Sequence, residues 1–373
     1  MTDPLSGPEP APRPGQGPGQ APGQAPGPTN SLVDVPGLRV GHCTRDEPGW
    51  LTGVTAVVAP DDGVVAGVDV RGGGPGTRET DLLDPRNLVD RVNAVVLGGG
   101  SAFGLAAADG VMAALADDGL GWPTAELGQR VPIVPSAILF DLGRSGTWRN
   151  TPSAEDGRAA YASASSDAVV QGCVGAGTGA KVGGFKGGIG SASVVLESGV
   201  TVAALVAVNA VGSAVDPVTG LPYAVGLGLA AELAHVGRPD DAELAASREV
   251  AEALPGRVAG LPGLATTIGV VATDATLSKA QCQKAAGIAH DGFARALKPV
   301  HTLFDGDTLF ALSTGERPAP DPIGLTVLME AGADCVARAI VHALLAATSV
   351  DRTADGGIAL RSWSDAFPSA VGR

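Results

Sequence analysis

Apolar runs alternate with glycine-rich turns along most of this chain, and the pattern predicts buried strands separated by helices. The segments GVTAVVAP, GVVAGVDVRGGG and VNAVVLGGG are almost continuously apolar and end in tight glycine turns. Strands of this composition are typically covered on both faces. Farther along, SASVVLESGVTVAALVAVNAVG predicts two strands joined at its ESG turn, and TTIGVVATDA and TLFALSTG predict two more.

Four other segments predict helices. Residues 102–115 form one, and residues 225–253 form two pieces that are broken at the Gly-Arg-Pro of residues 237–239. Ser278 and Gln281 have the spacing of a capping box, which predicts a helix from there to about Leu297. Residues 325–347 carry small apolar side chains at helical spacing. The whole pattern indicates sheets covered by helices.

Composition divides the chain into a tail and a single domain. Residues 1–30 consist largely of Pro, Gly, Gln and Ala, which cannot bury a core, so we expect a disordered tail. Residues 31–373 then form one folded domain. Inside it, the stretch LPGRVAGLPGLA at residues 254–265 predicts a flexible linker that leads directly into the TTIGVVATDA strand.

Charge and cysteine content exclude several classes of protein. The formal net charge of −14 argues against nucleic-acid binding, which needs clustered Lys and Arg. The four cysteines form no C-x-x-C pair and are expected to be free thiols in a reducing compartment. No basic segment precedes an apolar one at the N-terminus, and no apolar run approaches the ~20 residues of a membrane span. We therefore expect a cytoplasmic protein that does not contact membranes.

The glycine-rich stretches do not match nucleotide-binding motifs. RGGGPGT, LGGGSAFG and GAGTGAKVGGFKGG lack the G-x-G-x-x-G spacing, and the absence of a Gly-Lys dipeptide excludes a P-loop. The five histidines form no H-E-x-x-H pair, so each is expected to be an ordinary helix or loop residue.

Two local features could carry chemistry. Thr266 follows the flexible linker and opens a buried strand, so its hydroxyl could attack the preceding carbonyl and free its own amine as a base. Thr before a strand is also explained by β-propensity alone. Asp305 and Asp307 flank a glycine in FDGDTLF, where two carboxylates on one side of an extended segment would perturb each other, but Asp-Gly is equally common in turns.

Several motifs in a fixed order resemble peptidase family S58, also called the P1 family, over nearly all of the chain from about Ser31. This family includes D- and L-aminopeptidases, β-peptidyl aminopeptidases and nylon-oligomer hydrolases. The motifs that carry the resemblance are VDVRGGGPGTRETDLL, VNAVVLGGGSAFGL, VPIVPSAILFDL, GAGTGAKVGG, ALVAVNAVG, TTIGVVATDA and FDGDTLFALSTG.

The resemblance implies a role for each matching residue. Thr266 corresponds to the Ser or Thr nucleophile, and cleavage of the Ala265–Thr266 bond would give chains 1–265 and 266–373. Asn209 corresponds to the residue that polarises the substrate carbonyl, and Lys181 to a lysine that activates or positions the nucleophile. The remaining two matches, Asp305 and Asp307, correspond to the pair that orients the nucleophile and its amine. From the residues alone, Asn209 could equally be a turn amide and Lys181 a surface cation.

Two positions differ from the family pattern. Ala265 stands where Thr-type members often have Asn, although the distantly similar ornithine acetyltransferases cut an Ala–Thr bond. Phe140 stands where nylon-oligomer hydrolases have Tyr, and it is the candidate substrate-binding residue.

As a whole, the resemblance implies a four-layer αββα sandwich, a homotetramer, a small peptide or amide as substrate, and no metal or organic cofactor. Two alternatives to a self-processing aminopeptidase or amidase stay open. One is an acyltransferase like ornithine acetyltransferase, and the other is a catalytically silent scaffold.

Overall fold

Two β-sheets packed face to face form the middle of the protein, whose computed structural model describes residues 24–124, 128–253 and 264–372. In chain order, the strands are β1 (Arg39–Arg45), β2 (Thr52–Val58), β3 (Val64–Val70), β4 (Gly76–Arg78), β5 (Arg91–Val92), β6 (Ala94–Gly98), β7 (Trp122–Pro123), β8 (Arg130–Val131), β9 (Ser136–Ile138), β10 (Lys181–Val182), β11 (Phe185–Lys186), β12 (Gly188–Val195), β13 (Thr201–Val208), β14 (Ile268–Ala275), β15 (Thr308–Arg317), β16 (Val350–Asp351) and β17 (Ala359–Leu360).

The α-helices of the described residues are α1 (Ala107–Asp117), α2 (Ala154–Ala162), α3 (Asp241–Ala253), α4 (Lys279–Ala296), α5 (Pro322–Ala346) and α6 (Trp363–Ala366). Short 3₁₀ turns occur at Leu32–Asp34, Asp81–Leu83, Ser101–Ala106, Gly175–Gly177, Val225–Leu227, Thr353–Asp355 and Pro368–Ala370.

The two main sheets have mixed strand directions. The first has the order β1-β2-β6-β9-β4, and the second has the order β12-β13-β14-β15-β3-β5. In the second sheet, β13 and β14 are antiparallel while β14 and β15 are parallel, so α4 forms the crossover between two neighbouring parallel strands. This arrangement makes β14 a central strand with a partner on each side.

Three apolar clusters join these elements into four layers. Between the sheets, Val57 and Leu97 of the first sheet share one cluster with Leu205, Val270 and Phe310 of the second. Helices α4 and α5 pack with the outer face of the second sheet in another cluster, and α1 and α2 cover the first sheet in the third. The predicted αββα sandwich is confirmed.

Local signals located many of the elements correctly. The ESG turn joins β12 to β13, and the Ser278 side chain accepts a hydrogen bond from the Gln281 N–H at the start of α4, as the capping box predicts. The segment 102–115 is helical, but α1 begins only at Ala107 after a 3₁₀ turn over Ser101–Ala106.

One predicted helix is wrong. In the first part of segment 225–253, Val225–Leu227 forms a 3₁₀ turn, and the rest consists of turns and irregular backbone with a β-bridge from Val236 to Val371. Ala230 there has φ = 51°, a left-handed conformation that no α-helix contains, and two nearby glycines weaken helix propensity. The second part is helix α3, as predicted. Most of the predicted linker, residues 254–263, lies outside the described residues.

Ordered contacts begin before the predicted domain boundary at Ser31. Ala25 pairs with Val195, and the Asn30 side chain bonds to Ser193, Glu232 and Arg338. Residues 1–23 of the predicted tail lie outside the described residues. In the described parts of the chain, no helix combines the length and the apolar character needed to cross a membrane.

Candidate functional site

Thr266 lies two residues before the central strand β14 and is buried, with 4% of its surface exposed. Its backbone N–H donates a hydrogen bond to the carbonyl of Asn209, at 2.7 Å, just after the end of β13. The Ala265 N–H donates to the carbonyl of Phe304, at 3.0 Å, just before β15. The peptide unit 265–266 is therefore held between the chain segments that flank β14 on both sides.

The hydroxyl of Thr266 lies against the peptide unit that precedes it. Oγ1 donates a short hydrogen bond to the Ala265 carbonyl oxygen. It also accepts one from the Gly306 N–H at 3.2 Å. The hydroxyl is thus oriented by two backbone groups, and one of them belongs to the Ala265–Thr266 bond, which the family resemblance predicts to be scissile.

Asp307 is buried and uses both carboxylate oxygens. Oδ1 accepts from the Thr267 N–H at 2.8 Å, and Oδ2 lies 2.8 Å from Nδ1 of His301 and 3.3 Å from its backbone nitrogen. Asp307 therefore links the residue after Thr266 to a histidine.

Asp305 is equally buried and holds a neighbouring part of the site. Its Oδ1 accepts from the Val211 N–H at 3.0 Å, and its Oδ2 accepts from the Thr302 N–H at 3.1 Å. Burial raises the pKa of this carboxyl, and the charge of Asp307 adds to the increase. Asp305 also closes a turn through its backbone N–H, at 3.2 Å from the Thr302 carbonyl. The turn interpretation and the site interpretation are therefore compatible.

Asn209 is fully buried, and its neighbours fix the orientation of its amide. Oδ1 accepts from Nη1 of Arg144 at 2.6 Å and from the Lys181 N–H at 3.1 Å. Nδ2 donates to the carbonyl of Phe140 at 3.1 Å. An amide nitrogen carries two hydrogens, so Asn209 has a second one that can be offered to a substrate carbonyl.

Two cations lie beside this amide. Burial, and then the charge of Arg144, lowers the pKa of Lys181 to about 8. Burial lowers the pKa of Arg144 to about 10, against an opposing effect of Asp141. Among the described residues, Lys181 Nζ has no hydrogen-bond or ion-pair partner, so its proton is not held by a neighbouring group.

Phe140 reaches the site through its backbone. Its carbonyl binds Asn209, while its half-buried ring packs edge-on against Trp148, with 6.1 Å between the ring centroids. Trp148 is 54% exposed. The position predicted from sequence as a substrate contact thus lies beside Asn209, with the ring on the solvent side.

The glycine-rich stretch RGGGPGT packs against the segment that carries the two carboxylates. The N–H groups of Gly72 and Gly74 bond to the carbonyls of Asp307 and Asp305 at 3.3 and 2.9 Å. A Cβ on Gly72 would lie 2.2 Å from the Asp307 nitrogen, and one on Gly306 would lie 2.9 Å from Thr266 Oγ1. These glycines permit close backbone packing around Thr266, as glycine commonly does.

Sequence reasoning missed two residues of this cluster. His301 was expected to be an ordinary residue, although it precedes the FDGD motif by only a few positions. Arg144 carries no local signal, because the amide it binds is 65 residues away in the chain. The structure brings together all of the residues that the sequence proposed: Ala265, Thr266, Asn209, Lys181, Asp305, Asp307 and Phe140.

Known protein sequences match this chain over most of its length. The profile described as Peptidase family S58 matches residues 30–356. An uncharacterized aminopeptidase of Mycobacterium leprae is 47% identical over 369 residues, covering 92% of this chain and 96% of the relative. A 6-aminohexanoate-oligomer endohydrolase of a Kocuria species is 30% identical over 305 residues, covering 78% of this chain and 77% of that enzyme.

Solved structures show the same sandwich. A β-aminopeptidase from a Burkholderia species matches with a TM-score of 0.69 and 26% identity, covering 94% of this chain and 96% of that one. An L-aminopeptidase D-Ala-esterase/amidase from Ochrobactrum anthropi, described as a variant of the Ntn hydrolase fold, matches in fold with a TM-score of 0.68 and 24% identity, covering 91% and 92%. Since the profile covers most of the chain and these enzymes share its layers, the protein is a hydrolase that belongs to peptidase family S58.

Proposed function

We propose that this hydrolase cuts its own chain between Ala265 and Thr266 and then uses Thr266 as an N-terminal nucleophile against small peptides or amides. The observation that carries the proposal is the hydrogen bond between the Thr266 hydroxyl and the Ala265 carbonyl, in the buried segment just before β14. A hydroxyl held on the carbonyl of its own peptide bond needs little movement to reach the carbonyl carbon.

Self-cleavage would proceed through an ester. Thr266 Oγ1 adds to the Ala265 carbonyl carbon, the C–N bond breaks, and the hydroxyl proton ends on the released Thr266 nitrogen. Water then hydrolyses the ester between Ala265 and the Thr266 oxygen, which leaves a carboxylate on Ala265 and restores the hydroxyl. Asp307 accepts from the N–H of Thr267, the residue after the new amine, and this buried carboxylate and that of Asp305 would stabilise the ammonium form of the amine.

Turnover would use the freed amine. In its neutral form it accepts the proton of the Thr266 hydroxyl, assisted by Lys181, and the oxygen attacks the substrate carbonyl. The second Nδ2 hydrogen of Asn209 would stabilise the oxyanion, an effect of about 3–4 kcal/mol in enzymes where such a donor was removed. The leaving amine takes the proton, and water releases the acyl group from Thr266.

The decisive experiment compares chain masses and amide hydrolysis. Mass spectrometry of the purified protein should show chains 1–265 and 266–373, and a panel of aminoacyl p-nitroanilides should be hydrolysed. Thr266→Ala should remain one chain without activity, whereas Thr266→Ser keeps a hydroxyl and should retain both reactions. Thr276→Ala, at an exposed threonine beyond β14, is the matched control and should behave like the wild type.

Two results would contradict the proposal. One is a wild-type chain that stays intact through long incubation, and the other is hydrolysis that survives in Thr266→Ala. The same protein should be assayed for acetyl transfer from N-acetylornithine to glutamate, because the Ala–Thr junction also occurs in acetyltransferases. Transfer faster than hydrolysis would favour that alternative.

Assembly and location complete the proposal. Relatives named aminopeptidase and 6-aminohexanoate-oligomer endohydrolase support a small peptide or amide as the substrate class. We further propose a cytoplasmic homotetramer, for which light scattering should give four times the chain mass of 36.7 kDa. Cell fractionation with the native chain tests the location.

A further inference from the structure

A buried guanidinium lies directly behind the amide of Asn209. Arg144 is 5% exposed, and its Nη1 donates to Asn209 Oδ1 at 2.6 Å and to the Gly179 carbonyl at 2.5 Å. In the described part of the chain, no carboxylate lies within ion-pair distance of this guanidinium. Arg338, which is equally buried, pairs with Glu232 at 2.8 Å.

A buried cation that has no carboxylate within hydrogen-bond distance is costly, even where a buried carboxyl such as Asp141 attracts it from farther away. Proteins normally pair or neutralise such charges. Burial lowers the pKa of Arg144 only to about 10, so the group stays charged at neutral pH. Its two hydrogen-bond acceptors, Asn209 Oδ1 and the Gly179 carbonyl, are neutral oxygens. The buried carboxyl of Asp141 attracts the guanidinium without forming an ion pair, so the direct hydrogen bonds of Arg144 run to the amide and to the Gly179 carbonyl.

We propose that Arg144 is a positioning residue that holds and polarises Asn209 for its interaction with the substrate carbonyl. The inference rests on the proposed function above. A charged donor on Oδ1 draws electron density from the amide, which makes the Nδ2 hydrogens stronger donors. The same bond prevents the amide from turning over, because a rotated Nδ2 would meet the guanidinium donor to donor.

The surroundings of Arg144 show that it is itself held in place. Its carbonyl accepts from the Ile358 N–H at 3.1 Å, and its N–H donates to the Asp141 carbonyl at 3.3 Å. Without Arg144, only the Lys181 N–H would remain on Asn209 Oδ1. Loss of the guanidinium should therefore loosen the amide without removing it from the site.

The test measures kcat and KM of Arg144→Met and Arg144→Lys on an aminoacyl p-nitroanilide, per mole of cleaved chain. Arg144→Met should lower kcat about 10- to 100-fold with little change in KM, since a donor acting in the transition state is weakened. Arg144→Lys keeps a cation without the planar fork and should recover part of the loss. Arg158→Met, at an arginine paired with Asp117 on the surface, should match the wild type.

A double-mutant cycle with Asn209→Ala decides whether Arg144 acts through the amide. If it does, adding Arg144→Met to Asn209→Ala should cost no more than about threefold in kcat, because the two effects are then not additive. Equal losses in both backgrounds, or a wild-type kcat for Arg144→Met, would overturn the inference. Should Arg144→Met not fold, Arg144→Lys completes the same cycle.

The experiments distinguish a failure of the Arg144 inference from a failure of the proposed function. If the wild type is cleaved and active and Thr266→Ala is neither, the nucleophile assignment stands whatever Arg144 does. If the wild type itself is inactive, the proposed function fails and the role of Arg144 that rests on it fails as well.

Discussion

Lys181 shows how position sets the chemistry of a single side chain. Burial, and then the charge of Arg144, brings its pKa to about 8. A lysine in water is almost fully charged at neutral pH. With a pKa of about 8, the Lys181 amine is instead uncharged in a substantial fraction of molecules, and only the uncharged form can accept a proton. Because no described residue forms a hydrogen bond or an ion pair with its ammonium, the side chain can transfer a proton to or from a reacting group.

The pH dependence of turnover follows from this pKa. In the proposed mechanism, Lys181 and the freed Thr266 amine both act in neutral form. Lys181 loses its proton near pH 8, and the ammonium of Thr266, which the two carboxylates stabilise, loses its proton no earlier, so kcat/KM should rise with pH from that region upward. Two deprotonations give log kcat/KM a slope above one on the acid side. In Lys181→Met, only the amine remains, and the slope should fall to one, with a lower rate throughout.

Stopped assays from pH 5 to pH 10 on wild-type and Lys181→Met enzyme measure this difference. Lys181→Arg is the companion variant, since arginine keeps its charge at these pH values and cannot act as a base. Full activity of Lys181→Arg would show that the charge, and not proton transfer, is what the site needs.

At the scale of elements, the site exists because strand ends converge. Asn209 follows β13, Thr266 precedes β14, and Asp307 precedes β15, and these three strands are neighbours in one sheet. The glycine-rich stretch after β3 covers the same end through its bonds to Asp305 and Asp307. Close contact between these loops therefore decides whether the site can form.

Two glycines of that stretch provide a matched pair of variants. A Cβ on Gly72 would lie 2.2 Å from the Asp307 nitrogen, while one on Gly74 would meet its nearest atom at 3.9 Å. Gly72→Ala should lower the free energy of unfolding by about 1–3 kcal/mol or more because the backbone must shift. Gly74→Ala should be neutral or slightly stabilising.

Urea unfolding of both variants, made in the uncut Thr266→Ala background, compares them as single chains. A Gly72→Ala protein as stable as Gly74→Ala would show that the loop can move away from the carboxylates at little cost.

Some of these elements could be predicted from sequence, and the reasons differ from case to case. The start of α4 was predictable because Ser278 and Gln281 act within one turn. The segment before α3 was not, because the left-handed Ala230 reflects tertiary packing and not local propensity. The site residues came from the resemblance to the family. Arg144 could not be found because its partner Asn209 is distant in sequence and only the fold joins them.

At the scale of the whole molecule, the segment that precedes β1 forms hydrogen bonds with the second sheet and with the helical layer that covers it. Asn30 Oδ1 accepts from the Ser193 N–H of β12 and from Arg338 of α5, and its Nδ2 donates to Glu232. Arg338 and Glu232 are both buried. One side chain therefore ties the N-terminal segment to a strand and to the longest helix in the described residues.

Removal of this side chain should destabilise the whole domain. Asn30→Ala leaves the buried Ser193 N–H without its acceptor and removes one hydrogen bond each from Arg338 and Glu232, which costs about 1–3 kcal/mol. Thermal unfolding should show a lower Tm, with kcat per cleaved chain unchanged. Asn87→Ala, at an exposed asparagine, is the control and should leave the Tm unaltered. An equal Tm for the two variants would contradict the prediction.

The strand order of the second sheet affects how the protein would refold after cleavage. Strand β14 would begin the small chain but is bordered by β13 of the large chain, and β15 of the small chain is bordered by β3 of the large one. After cleavage, the two chains would remain paired within the second sheet, because each of them contributes only some of its strands. Folding of the intact chain is a first-order process, but recovery after denaturation of the cut protein requires two molecules to meet and so depends on concentration. If the proposed cleavage occurs, recovery of the denatured protein would therefore become slower as its concentration falls, whereas refolding of the uncut Thr266→Ala chain would not.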